Sequence, residues 1–194
     1  GKLLASTSND KTVRLWSTES GVEQCRFCGH SHWVRLPMAS SPAGEFLAWV
    51  FKDKTVMVCG LDQNGVHWST LHSHEHSEDV TSVAFSADGK LLASVSQDKT
   101  LQLWSRETGG KVWTFRDSDY FRSAHFGFKD QIVTFSDYRV CVWRPGRDKP
   151  ERTFFPRSKL SCIAVSPVAH RDGHSRAWFA VGDVNGTVYL LGDA

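Results

Sequence analysis

His76, Ser94 and Asp98 have the composition of a base, a nucleophile and an orienting acid. Such a triad needs an exposed nucleophile within hydrogen-bond reach of its base, and an oxyanion hole beside it. The chain contains no G-x-S-x-G turn that would lift a serine into that position. His72, His74 and His76 alternate along the chain, with Glu75 and Glu78 nearby, and could grip a transition metal. Their spacing lacks a zinc signature, so a solvated polar segment is the expectation. Cys25 and Cys28 form a lone C-x-x-C. Residues three apart on a strand face opposite sides, which argues against shared ligation. No glycine-rich phosphate loop and no paired carboxylates stand out. The expectation is a protein that is not an enzyme, with no catalytic, cofactor or metal site.

The elements that must position these residues come from an internal repeat. Gly1 to Ser17 reads GKLLASTSNDKTVRLWS and Gly89 to Ser105 reads GKLLASVSQDKTLQLWS, identical at 13 of 17 positions with an offset of 88. A weaker copy, EFLAWVFKDKTVMVC, spans Glu45 to Cys59. Val133 to Trp143 and Val181 to Leu191 repeat the scheme. Trp16, Cys59, Trp104, Trp143 and Leu191 are thus equivalent, spaced by 43, 45, 39 and 48 residues. Within one unit, Val80 to Ser86 alternates and Asp88-Gly89 turns the chain. Leu91 to Ser96 is small and apolar, Thr100 to Trp104 alternates again, and Lys111 to Phe115 follows another glycine turn. Four short strands per unit, with no sustained helical period, predict an all-β fold of the β-propeller kind. Unit boundaries fall near 1–29, 30–72, 73–115, 116–155 and 156–194, with Asn64-Gly65 and Asn185-Gly186 suited to hairpin turns.

Over nearly its whole length the sequence resembles the WD-repeat family, and the stretch from His76 to Phe115 matches best. The resemblance implies a hydrogen-bonded structural tetrad of His76, Ser94, Asp98 and Trp104. The first unit keeps Ser6, Asp10 and Trp16. The second keeps Gly29-His30 and Asp53 but has Cys59 for the tryptophan. The fourth keeps Asp137 and Trp143 but has Asp117 where the histidine belongs, and the fifth keeps little beyond its pattern. None of the tryptophans is followed by Asp. The first unit lacks its inner strand and the last its outer one. This is the layout of the C-terminal blades of a larger propeller, the alternative being a five-bladed ring with unusual closure.

The resemblance also implies a platform for protein–protein interaction, using loops into the first strands and turns between second and third strands. Carried over by position, the candidate partner-binding residues are Trp33, Arg35, Lys52, Asp79, Gln97, Tyr120 and Arg122. Trp33 with Arg35, and Tyr120 with Arg122, pair an aromatic with a guanidinium, a composition that interface hot spots favour. A second reading is a sensory or autoinhibitory propeller of a NACHT-type ATPase. The insertion Pro167 to Arg176, with His170, Arg171, His174 and Arg176, is expected as a long loop at the opposite end of its sheet.

Composition bounds the partners. The 194 residues carry 23 Lys and Arg against 21 Asp and Glu, a net charge of +2. That is short of the basic footprint of a nucleic-acid binder, so the expected partners are proteins or other domains of the same protein. Five cysteines, an odd number at irregular positions, point to a reducing compartment. No apolar run reaches the length of a membrane span. The expectation is a cytoplasmic or otherwise intracellular protein.

Overall fold

The computed structural model describes residues 2–8, 10–28, 37–52, 54–62, 65–127, 131–165, 169–171, 174–176 and 178–192. For 62, 65–74, 169–171 and 174–176 it describes the backbone alone. All regular structure among them is strand. The first sheet is β1 (Leu3–Thr7), β2 (Thr12–Ser17) and β3 (Glu23–Cys28). The second is β4 (Met38–Ser40), β5 (Phe46–Phe51), β6 (Thr55–Asp62) and β7 (Gly65–Glu75). The third is β8 (Val80–Phe85), β9 (Leu91–Ser96), β10 (Thr100–Ser105) and β11 (Lys111–Arg116). The fourth is β12 (Ser123–Phe126), β13 (Ile132–Phe135), β14 (Val140–Trp143) and β15 (Arg152–Phe154). The fifth holds β16 (Leu160–Val165), β19 (Trp178–Asp183) and β20 (Val188–Gly192). Between β16 and β19 the chain forms a separate hairpin of β17 (Ala169–Arg171) and β18 (His174–Arg176). The insertion expected as a loop is therefore a two-stranded hairpin. Likewise, β7 runs to Glu75, past the boundary expected at 72.

Every strand pair is antiparallel, and one cross-strand pair recurs in all five sheets. Leu4 lies opposite Trp16, Leu47 opposite Cys59, Leu92 opposite Trp104, Ile132 opposite Trp143 and Phe179 opposite Leu191. Directly opposed apolar side chains are the unit of sheet stabilisation, so the repeat period is a repeat of this contact. Alternation sends neighbouring residues to opposite faces, and both faces of the middle sheets are covered. Val13 and Leu15 of the first sheet pack with Leu47, Trp49 and Cys59 of the second. Val56 and Val58 of the second pack with Val83, Leu92 and Trp104 of the third. Leu101 and Leu103 of the third meet Ile132 and Trp143 of the fourth, and Val133 and Val140 of the fourth meet Phe179 and Val181 of the fifth. The core is thus four seams between consecutive sheets.

The turns follow local chemistry. Gly89, at φ +69°, closes the β8–β9 turn in a conformation that a Cβ would strain. Asp88 accepts from the Lys90 N–H at 3.0 Å and from the Ser86 hydroxyl at 2.7 Å in the same turn. Lys11, Lys52 and Lys99, in the β1–β2, β5–β6 and β9–β10 turns, all sit in the left-handed region, at φ 67°, 49° and 66°. Non-glycine residues rarely adopt it.

Candidate functional site

His76, Ser94, Asp98 and Trp104 lie in one hydrogen-bonded chain. The Trp104 indole donates to Ser94 Oγ at 2.9 Å, and Ser94 Oγ is 2.8 Å from His76 Nε2. His76 Nδ1 is 3.0 Å from Asp98 Oδ2. One tautomer satisfies every link: Nδ1–H donates to the carboxylate, and Nε2 accepts from the serine. Asp98 also accepts from the Thr100 backbone N–H and hydroxyl, at 2.9 and 2.5 Å, and from the Ser77 N–H at 3.1 Å. Burial pushes the His76 imidazole below its ordinary value although Asp98 pulls the other way. Burial opposes ionisation of Asp98, yet Thr100, His76 and the Ser77 N–H together hold its carboxyl low. Ser94 is 0% exposed and its hydroxyl is spent on Trp104 and His76, so it offers no nucleophile to a substrate. These groups tie the β7–β8 connection to β9 and β10.

The other sheets vary this theme. In the first, the Trp16 indole donates to Ser6 Oγ at 2.8 Å, and Asp10 accepts from the Thr12 N–H at 3.0 Å. In the second, the bulky and small partners trade strands. Trp49 occupies the serine position of β5 and Cys59 the tryptophan position of β6. The Trp49 indole N–H is buried without a partner among the described residues, and its ring packs against Phe27 with centroids 4.6 Å apart. In the fourth, the Trp143 indole donates to Thr134 Oγ1 at 2.7 Å. This hydroxyl sits nine residues before the tryptophan. The serine rule applied to Thr would have found it.

The fourth sheet's larger departure is electrostatic. Asp117 stands at the histidine position and takes a hydrogen bond from Arg139 at 2.5 Å. Arg139 is two residues past Asp137, as Thr100 is two past Asp98. A carboxylate at the histidine position would repel the turn carboxylate, so Asp137 turns elsewhere. It accepts from the Tyr120 hydroxyl at 2.8 Å, from Arg122 Nε, and from Lys159 Nζ at 3.1 Å. Burial opposes its ionisation, but these three donors hold the carboxyl below its ordinary value. The Arg122 guanidinium also lies 6.0 Å from the Tyr120 ring centre. The Leu160 N–H donates to the Asp137 carbonyl at 2.7 Å, so this hub joins the fourth sheet to the fifth.

Beside the hub opens a cleft of about 760 Å³ where the third, fourth and fifth sheets meet. Gln97, Lys99, Tyr120, Arg122, His125 and Phe135 line one part of it, and Ser161, Cys162 and Ile163 of β16 another. Of the residues expected to bind a partner, Gln97, Tyr120 and Arg122 are brought together here. Tyr120 and Arg122 are already engaged with Asp137, so they are not a free-standing clamp. Asp79 is exposed, and its carbonyl accepts from the Gln97 N–H at 2.9 Å; Lys52 is exposed with Nζ 5.4 Å from the Phe51 ring centre. Trp33 and Arg35 lie outside the described residues, as do Gly29, His30 and Asp53 and the side chains of His72, His74, His170, Arg171, His174 and Arg176. Lys99, His125, Ser161, Cys162 and Ile163 were not foreseen. Only Lys99, two past Gln97 in the same turn, carried a sequence signal. Cys25 and Cys28 are both on β3, half-buried and exposed respectively. Among the described residues, no group of three or more His, Cys, Asp or Glu could hold a metal ion.

Four-stranded antiparallel sheets that share their cores face to face, with the same cross-strand pair in each, define propeller blades. The family model described as "WD domain, G-beta repeat" matches residues 1–17 and 65–105. The chain is 34% identical over 140 residues to nuclear distribution protein PAC1-2 of Uncinocarpus reesii, covering 61% of this chain and 30% of that protein. It is 31% identical over 141 residues to nuclear distribution protein PAC1 of Arthroderma otae, with the same coverages of 61% and 30%. It is 32% identical over 120 residues to transducin beta-like protein 3 of Bos taurus, covering 54% of this chain and 15% of that one. The matched stretches of this chain are WD repeats. The matches span about a third or less of these relatives' lengths.

Proposed function

We propose that this chain is an interaction scaffold whose binding surface is the cleft beside Asp137. The observation that supports it is the hub itself. Tyr120, Arg122 and Lys159 are fixed on one carboxylate that bridges two sheets, so the surface needs little ordering to bind. Aromatic and guanidinium groups held in place are the side chains on which interface affinity concentrates. Lys52, Asp79 and Gln97 extend the same end of the blades, and Trp33 with Arg35 would add to it by repeat position. The NACHT-type sensor draws no support from the relatives. The family likeness favours a non-enzymatic, intracellular role.

That these blades belong to a larger propeller is supported by the far face of the fifth sheet. Val188 and Leu190 there are 64% and 69% exposed, whereas Leu101 and Leu103, at the same repeat positions, are 0% and 1% exposed. A further blade would cover them.

Affinity purification with the full-length protein tests the scaffold reading. Tyr120→Ala should weaken retention of the captured partner by about 2 kcal/mol, with the melting curve of the variant checked alongside. Changing Arg171 and Arg176 in the β17–β18 hairpin should leave capture unchanged. If the hairpin changes abolish capture and Tyr120→Ala does not, the binding surface lies at the other end of the sheet.

A further inference from the structure

We propose that the cleft receives an acidic segment of a partner protein, with Asp or Glu carboxylates seated between Lys99 and Arg122; this rests on the scaffold reading above. Among the described residues, two cations, Lys99 and Arg122, line the cleft and no carboxylate does. Arg122 and Lys159 share the single carboxylate of Asp137, and Lys99 adds a third cation that this carboxylate does not pair. The local charge is positive in a chain whose overall balance is close to neutral. Lys99 makes no ion pair among the described residues and is exposed, so its ammonium is available.

The backbone under Lys99 is fixed. Its N–H donates to the Ser96 carbonyl at 3.2 Å, its carbonyl accepts from Asp117 N–H at 2.8 Å, and φ is 66°. Arg122 bonds Asp137 through Nε with the Tyr120 side chain beside its guanidinium, and the remaining N–H donors of the fork can serve a second carboxylate. Phe135 and Ile163 supply apolar surface, and the Ser161 hydroxyl, which donates to the Gly182 carbonyl at 3.1 Å, can still accept. Acidic residues interleaved with apolar ones suit such a lining. Two charged contacts in a partly exposed cleft favour an affinity that falls as salt rises.

The probe is a fluorescein-labelled peptide of alternating Glu and Leu, titrated with the full-length protein and followed by anisotropy. Its Gln-for-Glu counterpart is the control. The Glu peptide should bind, weaken with added salt, and lose about tenfold or more in affinity to K99E and to Arg122→Gln. K99E changes an exposed side chain outside the Asp137 hub, so its effect reports charge rather than folding. The Gln peptide should bind at least tenfold more weakly than the Glu peptide. Equal binding of both peptides, lost in Tyr120→Ala, would overturn the acidic partner while the scaffold reading stands. Glu-peptide binding that K99E and Arg122→Gln leave intact would overturn the site. Binding of neither peptide overturns the proposal too, and partner capture by wild-type protein but not Tyr120→Ala then shows the scaffold reading survives. A single-stranded oligonucleotide that displaces the Glu peptide at equal concentration would assign the cleft to nucleic acid instead.

Discussion

Asp98 and Lys99 are neighbours in one turn with opposite fates. Asp98→Ala removes the acceptor of His76 Nδ1–H, the Thr100 hydroxyl and the Ser77 N–H, and should cost about 1–3 kcal/mol. Lys99→Ala removes an exposed side chain and should change stability by no more than ~0.5 kcal/mol. Denaturant midpoints of the two variants check this, and equal effects would dismiss the structural role of Asp98. The two buried tryptophans Trp49 and Trp104 offer a second contrast. Trp104→Phe deletes the donor to Ser94, whereas Trp49→Phe deletes an indole N–H that has no partner among the described residues. Removing an unsatisfied buried donor offsets part of the lost packing, so Trp49→Phe should be the milder change by about 1 kcal/mol in chemical denaturation. Acid should act through His76 and His125, both pushed below their ordinary values by burial. The unfolded chain then binds protons that the folded chain refuses, so stability present above pH ~6.5 declines as pH falls below it. Below pH ~4 a second loss follows as Asp98, Asp117 and Asp137, held low when folded, take up protons. Melting temperature against pH should show both steps, and His76→Gln should flatten the first.

The sheets show what sequence can and cannot convey. The recurring pair of an apolar residue with Trp, Cys or Leu was legible because each strand needs that contact, and contact needs return as spacing. The four strands of His76 to Phe115 were legible from alternation and glycine turns, as Leu91–Ser96 and Thr100–Ser105 show. The Asp117–Arg139 pair was not, because a histidine replaced by a carboxylate reads as a loss. Its compensation lies 22 residues on, at a position that is Thr in the third sheet. Nor was the cleft, since Lys99 and Ser161 meet only when three sheets are assembled. Arg139→Met would leave the Asp117 carboxylate, 7% exposed, without its cation, and should cost about 3 kcal/mol. Adding Asp117→Asn should recover part of that loss, because removing both charges leaves neither buried alone. Thermal melts of the single and double variants decide it, and a double variant less stable than the single would refute the pair as an ion bridge.

At the scale of the whole molecule, the exposed Val188 and Leu190 make the far face of the fifth sheet an adhesive surface when the 194 residues stand alone. That polypeptide should self-associate as its concentration rises, and Leu190→Lys should reduce association in analytical ultracentrifugation. A monodisperse, unchanged monomer at every concentration would refute the prediction. The four seams carry a consequence for motion. Each cluster of core side chains belongs half to one sheet and half to the next, so no sheet owns a private core. Opening one sheet strips its neighbours too, which makes local unfolding expensive in the middle of the series and cheap at its edges. Amide hydrogens record this as a gradient in deuterium uptake. The slowest exchange belongs to β9 and β10, shielded on both sides, and the fastest to β1 and β20, where breathing of a single seam suffices.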